Sequence, residues 1–205
     1  MTKKDKIIIF DFDGVIADTF GIAFNIYKSH VPEISADKYL SYFEGNIYDA
    51  LSATRKKVDN DDFFPLYTDQ LLSRNPISGI GDVIKQLTQE YTLVIVSSTI
   101  NKPIEMFLQK HNLLEPFSEI LGGDIAKRKT EKLQMILEKY KVEPNDCLFI
   151  TDTLGDLREA NKVDIHSIAV TWGYHNAHTL KKGKSYAFAQ KPQEILTKIK
   201  EYFIN

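Results

Sequence analysis

Four short apolar runs punctuate the chain, at Ile7–Phe10, Thr92–Val96, Cys147–Ile150 and Ile165–Val170. Each is rich in β-branched residues and almost unbroken in hydrophobicity, as expected of a strand buried on both faces. Between them the period changes. Asp82–Glu90, Lys102–His111 and Glu131–Lys141 repeat apolar residues at intervals of three and four, as in Leu133, Ile136, Leu137 and Tyr140, and these predict amphipathic helices. Pro103 suits the first turn of the second helix, Thr130 suits an N-cap for the third, and Pro192 opens a last helix over Pro192–Phe203. Strands alternating with helices predict an open, mostly parallel α/β sheet with helices on both faces.

The rhythm fails once. From Asp18 to Pro76 no run reads as a buried strand, although Phe20–Lys28, Ala36–Tyr42, Ile47–Arg55 and Asp61–Leu72 have helical character and many aromatics. A structureless loop of that length is uncommon inside a compact domain. The expectation is a small helical insertion over the edge of the sheet. Residues 17–76 would form it, and residues 1–16 and 77–205 would form the α/β core.

Composition mainly excludes. A length of 205 residues suits one domain with a modest insertion, and 43% hydrophobic with 26% charged residues argues against disorder. The formal net charge of −2 offers no basic excess for a nucleic acid. Lys3, Lys4 and Lys6 ahead of Ile7–Phe10 imitate the start of a secretory signal, but Asp11 cuts the apolar run short. No segment approaches the roughly 20 apolar residues that span a bilayer, so no membrane partner and a cytoplasmic location are expected. Cys147, the single cysteine, lies in an apolar run and predicts a packed core thiol.

The candidate chemistry sits where the apolar runs end. In open α/β sheets, ligands bind beyond the carboxyl ends of the strands. The first run ends in Asp11-Phe12-Asp13-Gly14. Alternate residues of an extended chain face one side, so both carboxylates can approach one site, and Gly14 lets the backbone turn closely there. A hard divalent cation with oxygen ligands fits this pair; an exposed acidic turn is the alternative. Ser97-Ser98-Thr99 ends the second run before a helix opening near Asn101, which suits a phosphate. A plain strand-to-helix turn would look the same. Lys127-Arg128-Lys129-Thr130 sets cations ahead of a helix, against its macrodipole. One of them could pair with a transferring phosphoryl group, or all could form a solvated loop. The run at Cys147–Ile150 leads into Thr151-Asp152-Thr153-Leu154-Gly155-Asp156, again two acids and a glycine, before a short helix over Leu157–Asn161. Together these ends describe one phosphate-and-metal site.

Over nearly its whole length the chain resembles the haloacid dehalogenase superfamily, in the phosphoglycolate phosphatase-like and beta-phosphoglucomutase-like branch. Asp11-Phe12-Asp13-Gly14-Val15-Ile16 matches the DxDG opening motif, and Asp18-Thr19 its usual continuation. Ser97 stands at the second-motif Ser/Thr, and Asp152 and Asp156 match the DxxxD of the fourth. Lys129 is taken as the third-motif lysine, with Lys127 a competitor because the usual following proline is absent. The resemblance implies a Rossmann-like parallel core with a helical cap inserted after the first strand. It further implies a Mg2+-dependent phosphatase acting on a small phosphorylated metabolite. Asp11 would be the nucleophile and Asp13 the general acid and base. Asp11, Asp152, Asp156 and the backbone carbonyl of Asp13 would hold the metal, Asp156 directly or through a water. Ser97 and Lys129 would grip the phosphoryl oxygens, with Ser98 beside them. Gly45 and Asn46 resemble the substrate-facing loop of the cap.

Asp13 favours phosphoryl transfer, because the family's dehalogenases lack the second aspartate. A sugar-phosphate mutase of the same branch usually carries a basic residue just after the cap loop. None occurs between Glu44 and Thr54, and Arg55 lies one turn further on. A non-catalytic phosphate-binding module is disfavoured by the intact acidic positions, and a phosphate-receiver domain by length and by the insertion. His175 and His178 could pair on a metal, but segments like theirs in the family are structural or line the site's rim. The aromatics of the insertion read as core.

Overall fold

The computed structural model describes residues 5–54 and 58–204; Lys3, Lys4 and Arg55 lie outside the described residues. The four apolar runs form strands β1 (Ile7–Phe10), β2 (Thr92–Val96), β4 (Cys147–Thr151) and β5 (His166–Val170), joined by β3 (Phe117–Leu121) and β6 (Ala187–Ala189). All pair in parallel, in the order β3-β2-β1-β4-β5-β6. The chain runs outward from β1 to β3, then crosses back to β4 on the other side of β1. Its direction of winding therefore reverses between β1 and β4, and a crevice opens at their carboxyl ends. Phe10 lies level with Ile95 of β2 and Ile150 of β4, so the residues that follow all three strands emerge at one height.

The helices are α1 (Phe20–His30), α2 (Ala36–Ser41), α3 (Ile47–Ser52), α4 (Asn60–Leu72), α5 (Ile80–Leu87), α6 (Asn101–Lys110), α7 (Lys129–Tyr140), α8 (Leu154–Asn161), α9 (Ala177–Leu180) and α10 (Pro192–Ile204). Strand side chains alternate between faces. Ile8, Phe10, Ile95 and Ile150 bury one face against Val83 and Ile84 of α5, Phe107 of α6 and Ile195 and Ile199 of α10. Ile7, Ile9, Val94, Cys147 and Phe149 bury the other against Leu133 and Ile136 of α7 and Ala160 of α8. Each such side chain contributes about 1.5–3 kcal/mol by leaving water. No helix among the described residues is long and apolar enough to cross a membrane.

Helices α1–α4 occupy the interval between β1 and α5, with no named strand among the described residues there. They hold a cluster of their own around Ala23, Tyr27, Val31, Ile34 and Tyr39. The segment enters and leaves side by side: Ala17 bridges Pro76, and the Ile77 amide donates to the Ile16 carbonyl at 2.8 Å. It is not detached from the rest, since Tyr67 and Leu71 of α4 join the cluster beneath the sheet.

Several element boundaries differ from expectation. Helix α5 begins two residues early, because Gly79 takes φ +86° and starts the helix from a left-handed turn. Helix α7 begins at Lys129 with Arg128 at its N-cap, so Thr130 is not the cap. Its amide instead donates to Glu159 Oε2 at 2.9 Å. Strands β3 and β6 and the short helix α9 were not expected from the pattern.

Candidate active site

The turn after β1 is fixed from below. Phe12 is fully buried and meets Phe107 edge-on at 5.4 Å, while its carbonyl accepts from the amides of Ile16 and Ala17 at 2.9 and 3.2 Å. With Phe12 pinned downward, Asp11 and Asp13 turn the other way. Gly14 completes the turn at φ +70°, and a Cβ there would stand 1.9 Å from Asp152 Oδ2. Gly173 packs the opposite side of the same carboxylate, where a Cβ would stand 2.2 Å from Oδ2.

The two acids have different neighbours. Asp11 is buried; its Oδ1 accepts from the Phe12 amide at 2.7 Å and its Oδ2 from Lys129 Nζ at 2.6 Å. Among the described residues, the Asp13 carboxylate is hydrogen-bonded by hydroxyls. Its Oδ1 accepts from Thr19 at 2.8 Å and from Tyr67, and its Oδ2 from Thr99 at 2.8 Å and Ser97 at 3.4 Å. A hydroxyl can donate or accept, so this shell serves Asp13 with or without a proton.

From the other side of the crevice come Asp152 and Asp156. Thr153 caps α8, its side chain accepting from the Asp156 amide, and Asp156 sits in the first turn where the helix dipole favours a negative charge. Asp156 Oδ2 accepts from Thr151 at 2.6 Å and from Lys129 at 2.8 Å. Asp152 Oδ2 accepts from the Tyr174 amide at 2.6 Å, but its buried Oδ1 has no hydrogen-bond partner among the described residues.

Three buried carboxylates therefore share one ammonium. Burial pushes Asp11 well above the usual carboxylate range, with Asp156 and Asp152 adding to it and Lys129 opposing. Burial likewise pushes Asp152 up to about 7. Asp156 is also raised by burial, yet Lys129 and its hydrogen bonds outweigh this and leave it below the usual range. For Lys129, burial pulls the ammonium down, but Asp11 and Asp156 more than offset it. The cluster lacks positive charge. One oxygen from each of Asp11, Asp152 and Asp156 lies within 4.8 Å of the others, and the orphaned Asp152 Oδ1 is among the buried acceptors. A hard divalent cation fits this donor set.

Lys127 and Lys129 part company. Lys127 Nζ donates to the Gly123 carbonyl at 2.9 Å and stands 4.5 Å above the Tyr48 ring, while Lys129 reaches the acids. Ser97 is buried, its Oγ accepting from the Thr99 amide at 3.0 Å, and Ser98 and Thr99 line the cavity above it. That partly open space, about 130 Å3, lies between the acids and helices α1–α4. Gly45 and Asn46 line it too. Asn46 Nδ2 donates to Glu159 Oε1 at 2.7 Å and its Oδ1 accepts from the amides of Tyr48 and Asp49, capping α3. Tyr48 Oη donates to the Ser98 carbonyl at 2.5 Å, and Arg158 Nη1 to the Glu44 carbonyl at 2.6 Å, drawing the helices down over the crevice.

His175 is buried, with Nδ1 accepting from the Leu154 amide at 3.0 Å and Nε2 facing the Leu40 carbonyl at 3.1 Å. Both ring nitrogens are thus committed to backbone. Tyr67, Glu159 and Lys132 were not singled out from the sequence. Lys132 does leave a trace there: with Lys129 it extends the buried Leu133–Ile136 stripe of α7 back toward the site.

A family model described as haloacid dehalogenase-like hydrolase matches residues 8–170. A phosphoglycolate phosphatase of Synechococcus elongatus is 26% identical over 204 residues, covering 92% of this chain and 94% of its own. A pyrophosphatase of Oceanobacillus iheyensis is 22% identical over 97% of this chain and 98% of its own. Among solved structures, a haloacid dehalogenase-like family hydrolase from Streptococcus pneumoniae superposes with a TM-score of 0.78 at 20% identity. It covers 97% of this chain and 100% of that one, a likeness of fold.

Proposed function

This chain belongs to the haloacid dehalogenase-like hydrolase family, and on that footing we propose that it is a phosphatase acting on a small phosphate monoester through an aspartyl-phosphate at Asp11. The observation that carries this reading is the buried Asp11–Lys129–Asp156 cluster at the floor of a cavity beneath helices α1–α4, with Asp13 two residues along in a shell of hydroxyls. The phosphoglycolate phosphatase and pyrophosphatase relatives support phosphorus chemistry.

In this mechanism Asp11 attacks phosphorus, and the ester P–O bond breaks with its electron pair going to the leaving oxygen. Asp13 gives that oxygen a proton. Water then attacks the phosphorus of the aspartyl-phosphate, Asp13 takes its proton, and cleavage of the P–O bond to Asp11 restores the carboxylate and frees inorganic phosphate. Splitting the reaction this way divides one difficult step into two easier ones. Thr19, Tyr67 and Thr99 hold Asp13 in place through both proton transfers. Lys129 would bind phosphoryl oxygens as charge redistributes over them, with Ser97 and Ser98 supporting the same group from the end of β2.

Asp11, Asp152 and Asp156, with the Asp13 carbonyl, would hold a divalent cation such as Mg2+. When bound it supplies charge neutralisation between Asp11 and the phosphate, whose repulsion at about 4 Å is on the order of 4 kcal/mol per unit of phosphate charge at an effective dielectric near 20. Helices α1–α4, residues 17–76, serve as a cap over a core of residues 1–16 and 77–205. Gly45 and Asn46 are its inward-facing loop, and the cap limits the access of bulk solvent to the site.

The test is inorganic phosphate release from a panel of phosphorylated metabolites in the presence of Mg2+, run beside Asp11→Asn. The variant is expected to lose at least about a thousandfold in turnover while remaining folded, as removal of a covalent nucleophile does. Wild-type turnover by the folded variant would end this reading. Isomerised product without phosphate release would point instead to the mutase.

A further inference from the structure

We infer that Glu159 is a positioning residue for phosphoryl transfer: its one buried carboxylate, on α8, sets the start of α7, and with it Lys129, in register with the cap loop at Asn46. The inference rests on the phosphatase reading and adds to it the residue that joins cap to core beside the phosphoryl site.

Helix α8 holds α7 twice. Gly155 and Asp156 lie four and three residues before Glu159, so the three share one face of α8. Asp156 Oδ2 accepts from the Lys129 ammonium at 2.8 Å. One turn on, Glu159 Oε2 accepts from the amide of the next residue, Thr130, at 2.9 Å and from its hydroxyl at 3.2 Å. The first amides of a helix have no acceptor within it, and Arg128 at the N-cap carries none in its side chain. A carboxylate at that end also offsets Arg128 and Lys129, whose charges oppose the macrodipole.

The other oxygen of the same carboxylate faces the cap. Glu159 Oε1 accepts from Asn46 Nδ2 at 2.7 Å. The Asn46 carboxamide cannot turn over without loss, because its Oδ1 accepts from the Tyr48 and Asp49 amides at 3.0 and 3.2 Å to begin α3. Its Nδ2 also donates to the Lys127 carbonyl at 3.2 Å. The loop backbone rests on the same face of α8: a Cβ at Gly155 would stand 2.2 Å from the Gly45 carbonyl oxygen and 2.9 Å from that of Phe43. Glu159 is 5% exposed, so water competes little for these bonds, and two donors or two acceptors set against each other there are costly. A shift of this one side chain therefore moves the cap loop and the start of α7 together. Misplacement of a group at the reacting centre by about 1 Å can cost on the order of a hundredfold in rate.

The experiment reverses the polarity of the Asn46–Glu159 bond. Glu159→Gln keeps the shape and an oxygen for Thr130 but turns an NH2 group on the NH2 of Asn46. Asn46→Asp keeps an acceptor for the α3 amides but turns a carboxylate on a carboxylate. In the double variant the new carboxamide donates to the new carboxylate, while Thr130 and α3 keep their acceptors. Phosphate release from para-nitrophenyl phosphate and the metabolite panel gives kcat/KM with Mg2+ present, and Asp11→Asn is the blank. Each single variant is expected to lose at least about tenfold, and the double variant to exceed both by at least about threefold. Recovery stops short of wild type because the Lys127 carbonyl loses its donor. A carboxylate that merely caps α7 would not be rescued in this way. Losses that multiply in the double variant, or wild-type kcat/KM in a folded Glu159→Gln, overturn the inference and leave the phosphatase standing. Should Glu159→Gln fail to fold, a double variant that folds and turns over supports the pairing, and one that also fails to fold overturns it. Absence of phosphate release from every ester, wild type included, would remove the phosphatase reading and this one with it.

Discussion

Replacing Lys132 with methionine removes a charge that the folded chain holds entirely out of water. Lys132 is fully buried in α7, and its Nζ donates to the carbonyls of Ser97 and Gly122 at 2.5 and 3.4 Å, with no carboxylate paired to it among the described residues. Burial, reinforced by the charge on Lys129, pulls its ammonium down from 10.5 to about 7 against the more distant attraction of Asp11, Asp156 and Glu159. The unfolded chain keeps the ordinary value. Between those two values the unfolded state binds a proton that the folded state does not, so stability rises with pH across the window. Below about pH 7 both states carry the proton and the full cost of burying it is felt.

The fall from 10.5 to about 7 corresponds to about 5 kcal/mol in all, and the portion developed between about pH 6 and pH 9 is about 3 kcal/mol. Groups remote from Lys132 titrate alike in both proteins and cancel in the difference. The unfolding free energy of Lys132→Met minus that of wild type should therefore fall by about 3 kcal/mol from pH 6 to pH 9. The measurement is denaturant unfolding at several pH values, with a chelator present to keep the site metal-free. A divalent cation held by Asp11 and Asp156 would pull the amine lower still, leaving the sign unchanged. A difference that is flat with pH, or that grows, would show that the folded state does not resist protonating this amine, and the account of Lys132 would be wrong.

Gly14→Ala forces a Cβ into a position 1.9 Å from Asp152 Oδ2 at φ +70°. It should cost about 2 kcal/mol or more in denaturant unfolding, and loss under 0.5 kcal/mol would refute the packing argument. Asn46→Ala deletes the cap of α3 and the bond to Glu159, for an expected loss of about 1–2 kcal/mol, and an unchanged denaturation midpoint would count against it. Asp152→Asn should weaken Mg2+ binding at least about tenfold by calorimetry while the fold persists. Equal affinity in the two proteins would remove Asp152 from the metal site.

How much of the fold was readable follows from where each strand lies. Strands β1, β2, β4 and β5 are paired on both sides, so they appear in the sequence as apolar runs. Strand β3 and strand β6 are the edges. In Phe117–Leu121 the middle residues are exposed or half-buried, and Ser118 and Glu119 break the run; Ala187–Ala189 is only three residues long and mostly half-buried. An edge has less apolar surface to hide, and polar residues there discourage pairing with another chain. The pattern that marks a central strand is thus absent for a physical reason. Helix starts were blurred by a related cause. At α7 the side chain of Glu159, far along the sequence, satisfies the Thr130 amide, and nothing local announces it.

The same reasoning separates what could be read of the site from what could not. Asp11, Asp13, Asp152 and Asp156 follow strands whose ends the sheet register brings level, so finding the strands amounts to finding the acids. The partners of Asp13 needed coordinates, because Tyr67 arrives from α4, 54 residues away. Lys132 lies between these cases. Among the hydrophobic positions of an amphipathic helix a lysine reads as a misfit, and the usual explanation is that its ammonium reaches water along the stem. Here it cannot reach water, and it spends its hydrogen bonds on the carbonyl of Ser97, the residue that also turns its hydroxyl toward Asp13. The amine therefore ties α7, which carries Lys129, to the end of β2, which carries Ser97, Ser98 and Thr99. A misfit at a helical core position next to a strand-end motif is itself a signal: the chain bears the desolvation of a second lysine where the elements around the reacting group must hold their spacing.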